Sequence, residues 1–484
     1  RDDVDIADTW DLSSLFDNDD AWEQALQQYR EQTEGYAAFQ GRLGEGAETI
    51  AEMLRFDEQM DRLGERLGVY AFLKTTEDQS NADYQGLKSR FQNAAVAASQ
   101  AASYIRPELL AIPADQMDTM LEEESLRPFQ LSLTRLLRYR PHTLTDREER
   151  LIAMQGEMAS TAGNAFRQLS DADMHFGTVV DHEGTERELT QSTFIQFLEM
   201  PDREIRKKAF HQYYDEYAAH ENTLAATFAG TIHQDIYYSR ARNYDSCLQS
   251  ALFPDNVPVS VYDNLITAVR SSLPAIHEYL DVRRRKMGLD QLHFYDTYVP
   301  ILSSIQKKHT WQQATDVVLE SLSPLGSEYC DALSKGLNGR WSDRYPNKNK
   351  QSGAFSCGTF DGDPYILMNF KPDVLNDVFT LTHEAGHSMH SYYSAANQPY
   401  TYYNYTIFVA EVASTFNEQL LARHLMDNAA DDQERAYLIN NELDSIRATI
   451  VRQTMFAEFE KITHEMAESG QPLTVASLRS ARSE

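Results

Sequence analysis

Hydrophobic positions spaced three and four residues apart run through most of the chain and predict helices. From Ala21 to about Ser170 this period continues through long segments with few glycines and prolines. It resumes at Asp202 and extends to about Leu337. The pattern therefore predicts a mainly α-helical protein.

Two parts of the chain break the helical period. Residues 174–190 alternate between apolar and polar positions around Glu183 and Gly184, which predicts a β-hairpin. Residues 336–370 are rich in Gly, Pro, Asn and Asp, and they contain two strand-like pieces, GAFSCGTF and PYILMNF. We therefore expect only small sheets.

The change of pattern near residue 200 is the best candidate for a domain boundary. The predicted hairpin ends before it, and Pro201 stands where a new helix is expected to begin. We predict an N-terminal helical lobe over residues 1–200, ending in the hairpin, and a second lobe over residues 201–484.

The balance of charge excludes several classes of partner. The chain has 74 acidic and 44 basic residues, a formal charge of −30, which repels nucleic acid and anionic membranes. No apolar run approaches the roughly 20 residues that a membrane span needs. Three widely spaced cysteines argue against a disulfide framework and favour a reducing compartment. We therefore predict a cytoplasmic protein with no nucleic-acid or membrane partner.

The segment LTHEAGHSMH, residues 381–390, contains an H-E-x-x-H pattern on a predicted helix. His383 and His387 are four residues apart, so both imidazoles lie on one face and can reach a single ion. Glu384 is turned by about 100° and flanks that ion instead of binding it. The helix is amphipathic, with an apolar stripe at Val374, Val378, Leu381, Ala385 and Met389. Two surface histidines would show the same stripe, so the pattern alone leaves both interpretations open.

A third ligand is the sharper test, because catalytic zinc usually takes three protein ligands. His390 lies about 10 Å along the helix from His383, too far to share one ion. Glu411 and Glu418 lie on one face of a second predicted helix, residues 406–425, and Pro399 allows the chain to turn back between the two helices. Glu411 would complete a His-His-Glu set.

The other face of this second helix carries an apolar stripe that we predict to be buried, formed by Phe408, Val412, Phe416 and Leu420. Glu418, on the same face as Glu411, would accept a hydrogen bond from one of the ligand histidines and hold its ring in place. A solvated glutamate is an equally open interpretation.

Residues 352–421 also carry a specific resemblance to a known family, in the sequence SGAFSCGTFDGDPYILMNFKPDVLNDVFTLTHEAGHSMHSYYSAANQPYTYYNYTIFVAEVASTFNEQLL. This segment closely resembles the catalytic core of oligoendopeptidase F, in the thimet-oligopeptidase-like group of zinc metallopeptidases. Weaker matches elsewhere are WDLSSLF near the start, ARNYDSCLQSAL at 241–252 and IVRQTMFAEFE at 450–460. The resemblance thus covers nearly the whole chain.

The resemblance implies a two-lobed helical metallopeptidase of the zincin type, with a deep substrate channel and a small β-sheet beside the active-site helix. The lobe over residues 201–484 would be catalytic. Matched position by position, His383, His387 and Glu411 would bind one zinc ion per chain, and Glu384 would be the catalytic carboxylate. Cobalt or manganese also suits this ligand set.

The resemblance also implies that the strand before the metal helix borders the substrate. This places Gly358 and Tyr365 beside a bound peptide, although ordinary turn and packing roles explain these two residues equally well. The tyrosines and histidine that the family carries nearer its C-terminus have no match before Glu484. We expect that the sequence omits this segment.

The implied reaction is hydrolysis of internal peptide bonds in short oligopeptides, with Glu384 as general base. Two alternatives stay open: a catalytically silent peptide-binding protein, and an aminopeptidase with the same His-His-Glu set. The sequence gives no indication of oligomeric state.

Overall fold

A computed structural model describes residues 1, 4–181, 183–302 and 308–481. These residues form α-helices and a few short strands, which confirms the prediction of a mainly α fold with small sheets. The chain divides into two compact units. The first combines residues 1–140 with 305–429, and the second combines residues 141–304 with 430–484.

Each compact unit is therefore built from two separate stretches of chain. Residue 200 is not a point where the chain passes from one unit to the other. The two lobes predicted from the change of sequence pattern, 1–200 and 201–484, stay a prediction.

The helices and strands follow one another in four groups. Residues 1–140 contain α1 (Asp19–Thr33), α2 (Ala47–Glu77), α3 (Ala82–Ala102), α4 (Ile105–Ala111), α5 (Ala114–Leu121) and α6 (Gln130–Leu137). Residues 141–304 contain α7 (Asp146–Met154), α8 (Gly156–Ala159), α9 (Thr161–Gln168), β1 (Thr178–Val180), β2 (Glu186–Glu188), α10 (Phe194–Leu198), α11 (Arg203–Ala219), α12 (Glu221–Ala241), α13 (Cys247–Leu252) and α14 (Val259–Lys286).

The remaining two groups include the elements that carry the candidate site. Residues 305–429 contain α15 (Trp311–Ser321), α16 (Ser327–Asn338), β3 (Ser342–Asp343), β4 (Phe355–Cys357), β5 (Tyr365–Leu367), α17 (Leu375–Asn397), α18 (Tyr400–Tyr403) and α19 (Ile407–Asp427). Residues 430–484 contain α20 (Asp432–Ile446), α21 (Arg452–Glu468) and α22 (Val475–Ala481).

The predicted hairpin is present in the second unit. Strands β1 and β2 pair antiparallel, with Val179 opposite Arg187, and Gly184 in the turn between them has a positive φ of 80°. Nothing in the described ranges of the chain forms a helix long and apolar enough to cross a membrane.

Strand β5 contributes residues to the two main hydrophobic clusters of the first unit. Its side chains alternate between the two faces of the strand. Tyr365 and Leu367 pack among residues of α1, α2 and α3. Ile366 and Met368 pack with α15, α16, α17 and α19. This alternation ties the N-terminal helices to the helix that carries the histidines.

The sheet around β5 has the order β3-β5-β4. Strand β4 pairs antiparallel with β5, with Ser356 opposite Ile366, and it also packs against α17. Both strand-like pieces predicted from the sequence are therefore confirmed. The two-residue strand β3, which pairs parallel with β5, was not predicted.

Helix α19 buries a different face from the one predicted. The side chains of Phe408, Val412 and Phe416 are 59%, 63% and 52% exposed, so the prediction of a buried stripe was wrong for these three residues. Helix α19 packs closely against α17, and the face that it buries lies at other positions. The buried positions are Ser414, Asn417, Leu421 and Ala422.

Candidate metal centre

Helices α17 and α19 approach each other most closely beside the H-E-x-x-H segment. Gly386 makes this approach possible. A Cβ atom added there would lie 2.5 Å from the Cα of Ser414 and 2.8 Å from the carbonyl oxygen of Ala413. The absence of a side chain at residue 386 therefore allows the backbone of α19 to lie directly against α17.

This close packing brings three donor atoms together. Oε2 of Glu411 lies 3.3 Å from Nε2 of His383 and 3.3 Å from Nε2 of His387. The two Nε2 atoms are 3.1 Å apart. Among the described residues these three form a group that could hold a metal ion.

The triangle of donor atoms fits a tetrahedral zinc ion. Zinc bonds to nitrogen and carboxylate oxygen are about 2.0–2.1 Å long, and a tetrahedron with such bonds has edges of about 3.3–3.4 Å. The measured separations of 3.1 to 3.3 Å match this edge. Two imidazoles and one carboxylate also form a donor set that catalytic zinc sites use.

Glu418 lies behind the first histidine. Its Oε1 atom is 2.5 Å from Nδ1 of His383, and this hydrogen bond raises the pKa of His383. Nε2 of the same ring is left to face Glu411. Burial lowers the pKa of His387, which favours its neutral form. Neutral imidazole is the form that binds a metal.

The side chain of Glu384 is buried, with 7% of its surface exposed. Burial raises the pKa of Glu384 to about 7, and the charge of Glu411 contributes in the same direction. The nearby backbone N–H of Ser356 on β4 acts in the opposite direction and lowers the pKa of Glu384. The Ser356 and Ser388 hydroxyls lie 2.8 Å apart and link β4 to α17.

Gly358 lies at a close contact between the chain just after β4 and α17. A Cβ atom added to Gly358 would lie 2.4 Å from Cβ of Ser391, so this position requires glycine for packing. Its predicted contact with substrate stays a prediction.

The structure does not support a substrate contact for Tyr365. Its side chain is 0% exposed, and its hydroxyl donates to the carbonyl oxygen of Asp11 at 2.9 Å and lies 2.5 Å from Oγ of Ser14. Tyr365 therefore has the packing role that the sequence left as the alternative, because its position in β5 points it into the core.

The remaining polar residues near the helix are occupied elsewhere. The His390 ring stacks on Tyr405 with ring centroids 3.6 Å apart, and it is not part of the group of donor atoms. The Tyr402 hydroxyl accepts a hydrogen bond from the backbone N–H of Ser132. The position of His390 agrees with its exclusion as a ligand by its spacing from His383.

The sequence of this chain matches the models of two related families. Residues 196–483 match the model of peptidase family M3, and residues 108–176 match the model described as Oligopeptidase F. The first match alone covers more than half of the chain. The chain belongs to peptidase family M3.

Relatives within the M3 family include Oligopeptidase PepF of Bacillus subtilis, which is 41% identical over 98% of this chain and 71% of its own length. The Oligoendopeptidase F homolog of Borreliella burgdorferi is 35% identical over 99% of this chain and 80% of its own length.

Solved structures agree with this membership. The crystal structure of a peptidase from Chlamydophila abortus has a TM-score of 0.93 and 34% identity, covering 99% of this chain and 81% of its own. The structure of oligoendopeptidase-F from Enterococcus faecium has a TM-score of 0.68 and 31% identity, covering 96% of this chain and 78% of its own.

Membership of family M3 confirms the resemblance found in the sequence. The chain is therefore a metalloendopeptidase that acts on peptides. Gly386 and Ser414, which lie at the close contact between the two ligand helices, were not predicted from the sequence. A glycine in the interior of an otherwise regular helix was the available signal.

Proposed function

We propose that this M3 peptidase is a zinc-dependent endopeptidase that hydrolyses internal peptide bonds of short oligopeptides. The observation that supports zinc is the triangle of donor atoms from His383, His387 and Glu411, with separations of 3.1 to 3.3 Å. Its edges suit one tetrahedral ion, and a fourth vertex is left for water or substrate.

Zinc, when bound, lowers the pKa of water and polarises the scissile carbonyl. Glu384 is the general base in this proposal. Its carboxylate flanks the ligand histidines on the same helix, accepts the proton of the attacking water and returns it to the leaving amine. Burial keeps the pKa of Glu384 near 7, which suits a group that both takes and gives a proton near neutral pH.

Strand β4 is the proposed platform for the peptide main chain. It is an edge strand of the sheet in the described part of the chain, so a peptide can add to it by main-chain hydrogen bonds. Gly358, just after this strand, is the proposed substrate neighbour.

The names of the curated relatives, Oligopeptidase PepF and Oligoendopeptidase F, support oligopeptides as the substrate class. The cytoplasmic location and the lack of nucleic-acid or membrane partners stay predictions from composition.

The decisive experiment compares the wild type with Glu384→Gln on an N-acetylated, internally quenched nonapeptide. The wild type is expected to bind one zinc per chain and to cut the peptide internally. The variant is expected to keep its zinc and to lose activity by about 10²–10⁴-fold, because general-base catalysis contributes that much.

The results of this experiment separate the proposed endopeptidase from an aminopeptidase and from a silent binding protein. The blocked amino terminus means that an aminopeptidase would leave the peptide intact. A wild type that binds zinc without cutting any peptide would identify a silent binding protein. Substantial turnover by Glu384→Gln would contradict the role assigned to this carboxylate.

A further inference from the structure

We infer that Ser414 is a positioning residue that orients the metal-facing oxygen of Glu411. The Ser414 hydroxyl lies 2.6 Å from Oε2 of Glu411, the same atom that faces both histidines. The two residues are three positions apart on α19 and therefore share a face. This inference rests on the proposed zinc site, since the oxygen matters only if it binds the ion.

The hydroxyl hydrogen has a choice of two acceptors on Glu411. The backbone carbonyl oxygen is 3.1 Å from Oγ, whereas Oε2 is 2.6 Å away. A hydroxyl has one hydrogen to donate, and a bond to an ionised carboxylate is shorter and stronger than a bond to a neutral carbonyl. The hydrogen therefore goes to the carboxylate. A carboxylate oxygen has a second lone pair, so the same atom can also face a metal.

Glu411 needs such a partner because little else restrains it. Its side chain is 60% exposed, compared with 27% for His383 and 18% for His387. Ordering a free glutamate side chain costs up to about 2 kcal/mol of conformational entropy. A hydrogen bond present before the ion arrives removes part of that cost from binding.

Packing does not explain why residue 414 is a serine. The close contact with Gly386 is made by backbone atoms of Ser414, and alanine would present the same backbone. A fully buried hydroxyl costs free energy unless it has a partner. Its carboxylate acceptor is therefore the feature that distinguishes serine from alanine at this position.

The test is the zinc affinity of metal-free Ser414→Ala, measured by competition with a chromophoric chelator. We expect zinc binding to weaken by about 10–100-fold, as is typical when a residue that supports a metal ligand is removed. Peptide cleavage should recover as zinc is raised to saturation. A thermal melt of the metal-free variant checks that it is folded.

Thr415→Ala is the matched control. The Thr415 hydroxyl also bonds Glu411, but at the backbone carbonyl oxygen, 2.5 Å away. Its removal is expected to leave zinc affinity unchanged. If Ser414→Ala bound zinc as tightly as this control, the inference would be overturned even though the wild type still bound zinc and cut peptides.

A second pair of variants separates orientation from packing. In a Glu411→Ala background the serine has no carboxylate to orient, so adding Ser414→Ala should not change the residual zinc affinity. A loss of the same size in both backgrounds would show that Ser414 acts through the helix contact, which would also overturn the inference. A wild type that binds no zinc would instead contradict the proposed function.

Discussion

His383 is held on both sides of its ring. Nδ1 lies 2.5 Å from Oε1 of Glu418, and Nε2 faces Glu411. A carboxylate at Nδ1 fixes both the tautomer and the angle of the ring, so that Nε2 carries the free lone pair. The sequence predicted this role for Glu418 but left a solvated glutamate equally open, and the contact in the structure supports the first interpretation.

Removing this support should weaken the metal site. We predict that Glu418→Ala lowers zinc affinity or activity by about 10–100-fold while the protein remains folded. Glu320→Ala is the matched control, because Glu320 also lies near a histidine, 3.9 Å from His424, but is 73% exposed and far from the donor atoms in sequence. Chelator competition on both variants checks the prediction, and equal affinities would refute it.

For single residues, the spacing of four between His383 and His387 predicted the histidine pair, because four residues on a helix make slightly more than one turn. The predicted turn of the chain between the two helices then pointed to Glu411, and the resemblance implied that it is a ligand. Ser414 could not be found in the same way. Its hydrogen bond to Glu411 depends on the side-chain conformation of Glu411, which the sequence does not give. For Tyr365 the sequence left a substrate contact and a packing role equally open, since a residue in a short strand can face either a ligand or the core, and the buried side chain agrees with packing.

The contact between α17 and α19 explains why helix faces were predicted unevenly. Val378, Leu381, Ala385 and Met389 of the predicted α17 stripe are buried, but Val374 lies at the N-cap and is 36% exposed. On α19 the largest apolar side chains are the exposed ones. Periodicity assumes that the most hydrophobic face is buried. Where two backbones nearly touch, side-chain size decides instead.

Gly386→Ala is therefore predicted to damage this helix pair. Its Cβ atom would lie 2.5 Å from backbone atoms of α19, which cannot rotate away, so the helices must separate. We expect a loss of about 1–3 kcal/mol of stability and much weaker zinc binding, since Glu411 moves away with α19.

Gly163→Ala is the control for this change. Gly163 is also inside a helix, α9, but an added Cβ atom there would meet nothing within 4 Å. The gain in helix propensity should make this variant neutral or more stable by about 0.5–1 kcal/mol. Thermal unfolding and zinc titration of both variants decide the matter, and similar behaviour would argue against the packing role of Gly386.

For the whole molecule, acidic residues outnumber basic ones, 74 to 44, and some carboxylates lie near one another. Glu65 on α2 is a half-buried carboxylate close to Asp361 and Asp61. It accepts a hydrogen bond from the backbone N–H of Phe360 at 3.0 Å. Burial nevertheless raises the pKa of Glu65 to about 7, and Asp361 and Asp61 add to the effect.

The raised pKa of Glu65 determines whether the protein gains or loses stability as the pH rises. The unfolded chain has a glutamate pKa of about 4.3, so the folded state holds this proton more tightly. The stabilising contribution is complete below about pH 4 and is lost as the pH rises to about 7. Glu65→Gln keeps an acceptor for Phe360 but carries no charge.

We therefore predict that Glu65→Gln is more stable than the wild type at pH 8 by roughly 1 kcal/mol, after allowing for solvent screening. The two proteins should be equally stable near pH 4. Glu52→Gln, at an exposed position of the same helix, should show no such difference. Urea unfolding at both pH values gives the comparison, and a wild-type advantage at pH 8 would contradict it.

The sequence predicted the fold class of the whole molecule but not how the chain is shared between its two units. Helical periodicity and turn residues are local signals. The union of residues 1–140 with 305–429 depends instead on contacts such as those of Trp10 with Tyr365, whose ring centroids are 6.2 Å apart. Nothing in either neighbourhood of sequence indicates the other.

This shared core has a consequence for biosynthesis. The first helices leave the ribosome long before β5 exists, and at about 5–20 residues per second the interval is tens of seconds. Throughout that time the side chains that later enclose Tyr365 lack their central strand. The nascent chain is therefore expected to depend on chaperones until translation has passed residue 429.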